Sequence, residues 1–193
     1  MKHAATRMVF SYWDALRGER AAPERGEIEP GEIRHVLADT FILEIDRDRT
    51  AEFRLAGTRI CALFGRELKG LPFVNLWAEG ARRDAGRNLD IVVDETGGVV
   101  AGLVGTTDEG DVLDLELLLL PLRHRGKPHA RVMGALSPAV SPAWIGFRKI
   151  TAISTVSMRV IWPSGRSDVR SFAAQRDPIE RRRRFVVHQG GRG

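Results

Sequence analysis

The apolar residues of this chain change their spacing twice, and that double switch restricts the folds open to it. From Thr40 the period is two: Phe41, Leu43 and Ile45 alternate with Ile42, Glu44 and Asp46, the pattern of a half-buried strand. Asp46-Arg47-Asp48-Arg49 reads as a polar turn, and Phe53 and Leu55 against Glu52 and Arg54 predict a second strand, so the two make a hairpin. The next stretch reads as helices in short pieces. Thr58 caps one that contains Ile60, Leu63 and Phe64, and Gly65 ends it in the left-handed conformation glycine tolerates. Residues 66–69 add one turn closed by Gly70, Pro72 opens a short piece over 73–77, and a longer helix runs over 78–93 until Gly97-Gly98. Three strands then follow over 99–104, 112–122 and 131–136. In the middle one Leu113, Leu115, Leu117 and Leu119 share a face, with Asp114 and Glu116 turned to solvent.

Strands on both sides of a helical insert predict a single antiparallel sheet of five strands with short helices on one face, an α+β fold. Upstream, Met8, Val9, Tyr12, Trp13 and Leu16 recur at helical spacing and Gly18 stops them, so residues 6–17 are predicted to form an amphipathic helix. That stripe must cover the sheet or meet a second copy. Pro30 suits the first turn of a further short helix ending at Leu37. The expected organisation is an N-terminal helix and connector over 1–29, the sheet domain over 30–140 and a basic, partly disordered extension over 141–193. Inside the extension, Ile150, Ile153, Val156, Val160 and Trp162 are apolar enough for 147–162 to fold back as a strand or docking segment.

Charge divides along the same line. Residues 1–146 carry 19 Lys/Arg against 22 Asp/Glu, a net of −3, whereas 147–193 carry 11 against 3, a net of +8. A basic arm ending in Arg181, Arg182, Arg183 and Arg184 suits an anionic partner, because guanidinium groups pair with phosphates through bidentate hydrogen bonds. The one cysteine, Cys61, excludes an intramolecular disulfide framework. The N-terminus lacks the apolar core of a signal peptide, and no apolar run approaches the roughly 20 residues of a membrane span. The expected location is the cytoplasm.

With these elements in place, a resemblance enters. The strand–strand, helices, strand–strand–strand order resembles the PAS fold. The stretch Phe53-Arg54-Leu55-Ala56-Gly57-Thr58, followed by Leu63-Phe64-Gly65-Arg66-Glu67-Leu68-Lys69-Gly70 and Phe73, is similar to the PAS core. Tyr12-Trp13 and Leu76-Trp77 add a likeness to small bacterial PAS proteins of similar length, over roughly residues 8–140. The resemblance implies a sensory or docking module, commonly dimeric through a helix flanking the sheet. On that basis Met8, Val9, Tyr12, Trp13 and Leu16 are the expected dimer or partner interface.

The same resemblance lets cofactors be considered one by one. Flavin-adduct sensors carry a cysteine on the segment matching residues 70–77, which has none here, and haem-binding relatives use a histidine on the long helix, where 78–96 has none. Neither a flavin adduct nor a histidine-ligated haem is expected. The inward positions are apolar, and Phe41, Phe53, Leu55, Phe64, Phe73, Trp77 and Leu115 are the residues expected around any small apolar ligand in the core. A tightly filled core is the competing expectation.

The remaining motifs carry no reaction. Glu32-x-x-His35 has metal-ligand spacing but no second copy, so no metal is expected. No nucleophile elbow and no phosphate-cradling glycine loop occurs. Asp108, Glu109, Asp111, Asp114 and Glu116 read as solvated charge, and Cys61 as a small packed hydrophobe. The expected function is therefore non-enzymatic: a PAS-type regulator acting on another protein and on itself, with nucleic-acid binding through the arginine-rich tail as the alternative.

Overall fold

In a computed structural model, residues 1–162 other than Thr96 and Gly126 are described, together with the strand backbone of residues 171–173; the expected anion-binding residues Arg181–Arg184 lie outside the described residues. The two-residue periodicity resolves into a single antiparallel sheet. Its strands are β1 (Thr40–Ile45), β2 (Ala51–Ala56), β3 (Gly98–Thr107), β4 (Val112–His124), β5 (Lys127–Pro138), β6 (Ile150–Ile161) and β7 (Ser171–Ala173), in spatial order β2-β1-β5-β4-β3-β6-β7. The two separated groups of strands are joined where β1 pairs with β5, from Thr40 opposite Ala135 to Glu44 opposite Arg131. Five strands were expected and all five are present. Two more extend the sheet past β3, because Ile150, Ile153 and Val160 of β6 are buried and supply the apolar face that β3 needs on that side.

Helices α2 (Thr58–Phe64) and α3 (Arg82–Glu95) belong to the inner face. Gly65 ends α2 at φ 61° and ψ 24°, the left-handed conformation that its missing Cβ allows. Three local readings are corrected. The cap position of α2 is Gly57, with no side-chain cap from Thr58. The long helix starts at Arg82, after a separate 3₁₀ turn over Glu79–Ala81, because the chain is extended at Ala78. Residues 30–36 are successive turns rather than a helix, held by bonds such as Val36 N–H to the Ile33 carbonyl at 2.9 Å; the helical pattern there is too short to propagate.

The outer face is covered by α1 (Ala4–Arg17), and the helix predicted over 6–17 thus begins two residues earlier. Val9 and Trp13 pack with Leu118, Leu120, Leu122, Met133 and Ala135 in a second apolar cluster. Trp13 is only 2% exposed, and its indole N–H donates to the Pro121 carbonyl at 2.8 Å. The sheet is therefore buried on both faces where α1 crosses it.

Replacing Trp13 with Ala leaves a cavity and an unpaired carbonyl, so stability should fall by roughly 3–5 kcal/mol in urea denaturation. Met8, 44% exposed, should change it by no more than about 0.5 kcal/mol when cut back to Ala.

Candidate functional site

The inner face brings most of the expected core residues together. Phe41, Phe53, Phe73 and Trp77 form a chain of rings in contact. Centroids lie 5.4 Å apart for Phe41–Phe53, 5.9 Å for Phe41–Phe73, 5.8 Å for Phe53–Phe73 and 4.7 Å for Phe73–Trp77. Phe64 and Leu115 are buried in the same cluster. Phe41 lies over Gly134, its cross-strand partner, so closely that a Cβ at that glycine would sit 2.1 Å from the ring. The Trp77 indole N–H donates to the Thr155 hydroxyl at 3.2 Å and so ties the aromatic row to β6.

Leu55 does not join them. It is 51% exposed on the opposite face, and the reason lies in the register. Leu43 stands opposite Phe53 but Ile42 stands opposite Leu55, which leaves Arg54 as the extra residue of a β-bulge. One inserted residue flips everything beyond it to the other face.

Cys61 is half-buried on α2, with its sulfur 3.7 Å from a Glu67 carboxylate oxygen and 4.0 Å from the Ala56 carbonyl. Burial pushes the thiol up from its ordinary value and the Glu67 charge adds to that, so the protonated, unreactive form is favoured. Glu32 and His35 sit in the turn region rather than on one helix face, and no metal-binding cluster occurs among the described residues. Asp111 and Glu109 are paired with Arg148, the latter at 3.0 Å, as exposed ion pairs.

On α1, the expected interface residues divide. Val9 and Trp13 are spent on the chain's own sheet, Tyr12 and Leu16 are half-buried beside them, and Met8 stays accessible. The Tyr12 hydroxyl also accepts from the Glu29 N–H at 2.7 Å, which fastens the connector to the helix.

Glu116 was expected in solvent and is instead 6% exposed, a correction with a clear cause. It shares the outer face of β4 with Leu118 and Leu120, which α1 covers. Its carboxylate accepts from the backbone N–H groups of Lys2, at 2.7 Å, and His3, at 2.9 Å, and from the Thr6 hydroxyl. The Lys2 and His3 N–H groups lead into α1, so the carboxylate from β4 anchors the approach to the helix and sets negative charge beside its positive end. The His3 ring completes the junction through Nδ1, 2.8 Å from the Ser137 carbonyl on β5. The clue was available: Asp114, Glu116, Leu118, Leu120 and Leu122 occupy one face, and three leucines there mean that the face is covered.

Burial raises the Glu116 carboxyl, but the Thr6, His3 and Lys2 hydrogen bonds with the nearby His3 ring outweigh it, and the net shift is downward. A folded pKa below the unfolded one contributes stability above the ordinary carboxylate range, and that stability is lost as pH falls through the folded value. Glu116→Gln should therefore cost on the order of 2–3 kcal/mol at neutral pH. Urea melts as a function of pH should show the gap between variant and parent closing in acid.

Comparison with known proteins adds the following. A family model described as PAS domain matches residues 1–137. No curated protein matches the chain. Among solved structures, a light-oxygen-voltage domain studied with a flavin analogue is 13% identical, covering 60% of this chain and 86% of that one at a TM-score of 0.46. The PAS domain of a protein from Colwellia psychrerythraea is 14% identical, over 57% of this chain and 97% of its own, at 0.42. An RNA-binding light-oxygen-voltage receptor is 17% identical, over 60% of this chain and 36% of its own, also at 0.42.

Proposed function

Because this chain belongs to the PAS domain family, we propose that it is a sensory and regulatory module that acts by contacting another protein and a second copy of itself rather than by turning over a substrate. The observation that carries this reading is the helix α1 seated on the outer face of the sheet. Its start is bonded to β4 through Glu116, while Leu115 and Leu117 of the same strand belong to the inner core. A change inside the core has a short mechanical route to the helix. Two adjacent elements with separate faces suit a device that reads one side and reports on the other.

The interior supports packing rather than chemistry. Phe41, Phe53 and Phe73 contact one another and Trp77 packs on Phe73, which favours a filled core over a ligand-bearing one. Residues 70–77 have no cysteine for a flavin adduct, and residues 78–96 have no histidine for haem, so the residues present do not fit either group held in those ways. Native mass spectrometry and an absorption spectrum of freshly purified protein test this together. The expected result is the bare chain mass, as a dimer, without visible absorption bands; a bound chromophore would overturn the filled-core reading.

The accessible rim of α1 is the self-contact in this reading, with Met8 at its centre. Met8→Asp should yield monomers in light scattering while the thermal melt is retained. A dimer that persists removes the helix from that role.

The charge split favours a second reading, in which the body dimerises and the basic tail grips nucleic-acid phosphate. A chain ending at residue 175 should then lose DNA or RNA retention and the steep salt dependence that counterion release produces. Full-length protein without salt-sensitive binding would dismiss it.

A further inference from the structure

A pocket lies on the opposite face of the sheet from the aromatic row, and its chemistry differs. The connector arches over the outer side of β1 and β2 and leaves a half-open pocket of about 190 Å³, with Arg25, Ile28, Ile33, Ile42, Leu55 and Met133 among its lining. Two irregularities create it. The bulge at Arg54 turns Leu55 outward, and residues 30–36 cross the sheet as turns instead of packing down as a helix. The lining is almost wholly apolar, so an apolar body seated there displaces poorly held water, and a space of roughly 150 Å³ is already enough for a molecule the size of benzene.

Arg25 supplies the one charge in that lining. The residue is half-buried, its Nε–H is buried without a hydrogen-bond partner among the described residues, and it makes no ion pair among them. The carboxylates on either side are already committed: Glu24 lies 3.4 Å from Arg123 and Glu27 lies 2.9 Å from Arg20. An arginine with an open, buried Nε–H beside an apolar pocket suits a ligand with one compact anion and a short apolar body. A carboxylate answers the planar fork of arginine with two parallel hydrogen bonds.

We propose that this outer cavity binds a small apolar monocarboxylate, with Arg25 pairing the carboxylate and the Ile28, Ile33 and Met133 side chains enclosing the body. The proposal stands apart from the filled-core reading above, since it concerns the other face of the sheet. The test is a titration of the full chain with hexanoate, benzoate and the neutral hexanol, followed by the methyl resonances of Ile28, Ile33 and Met133. Both acids should move these resonances, and hexanol should bind about tenfold more weakly, the difference expected for one charge-assisted contact. Arg25→Met should lower hexanoate to the level of hexanol and leave hexanol unchanged; Arg25→Gln serves if that variant fails to fold. Leu55→Trp, at the exposed rim, should block acid and alcohol alike. Equal binding of hexanoate and hexanol, the absence of any shift, or shifts confined to Ile60 and Ile153 on the inner face would each overturn the proposal. The last result would place the ligand in the core and bear on the filled-core reading instead.

Discussion

Along β4, Leu115, Leu117 and Leu119 point to the side of α2 and α3, while Leu118, Leu120 and Leu122 point to the side of α1. A strand buried on both faces has no room for solvated charge, yet this one carries Glu116 in its covered stretch. Burying a carboxylate is costly unless it is paired and hydrogen-bonded. The Lys2 and His3 N–H groups before α1 and the Thr6 hydroxyl in its first turn supply those bonds. Helix placement and strand burial thus depend on each other: without α1 the outer leucines are exposed, and without Glu116 the segment leading into α1 loses its acceptor.

The bulge at Arg54 has effects on both sides of the sheet. Before it, Phe53 sits among the aromatic rings of the core; after it, Leu55 stands in the wall of the outer cavity. A regular β2 would direct both inward and leave the connector without a pocket. The ring of Phe41 imposes a comparable demand on β5, where only glycine at position 134 leaves space for it.

Much of this architecture was legible. The switch of period from two to helical and back located all five expected strands and the α+β class, and Gly65 and Gly18 marked helix ends. The aromatic core was also legible, because Phe41, Phe53, Phe73 and Trp77 fall on the buried side of their elements whatever their neighbours are. Glu116, Leu55 and the turns over 30–36 were not. Each depends on what packs across from it: a covering helix, a slipped register, an arch over another strand.

The sequence by itself determined where strands and helices form, since side-chain alternation is set locally by backbone geometry, and it carried the separation of an acidic body from a basic tail. Only the tertiary structure decided that the sheet has two covered faces, that a glutamate on β4 holds the approach to α1, and that an arginine whose Nε–H has no partner among the described residues stands beside an apolar pocket. Those outcomes come from residues more than a hundred positions apart, as with Glu116 and Lys2, or from one inserted residue in a strand. Local pattern cannot encode them, because burial of a polar group is a property of the elements that meet around it rather than of the segment that carries it.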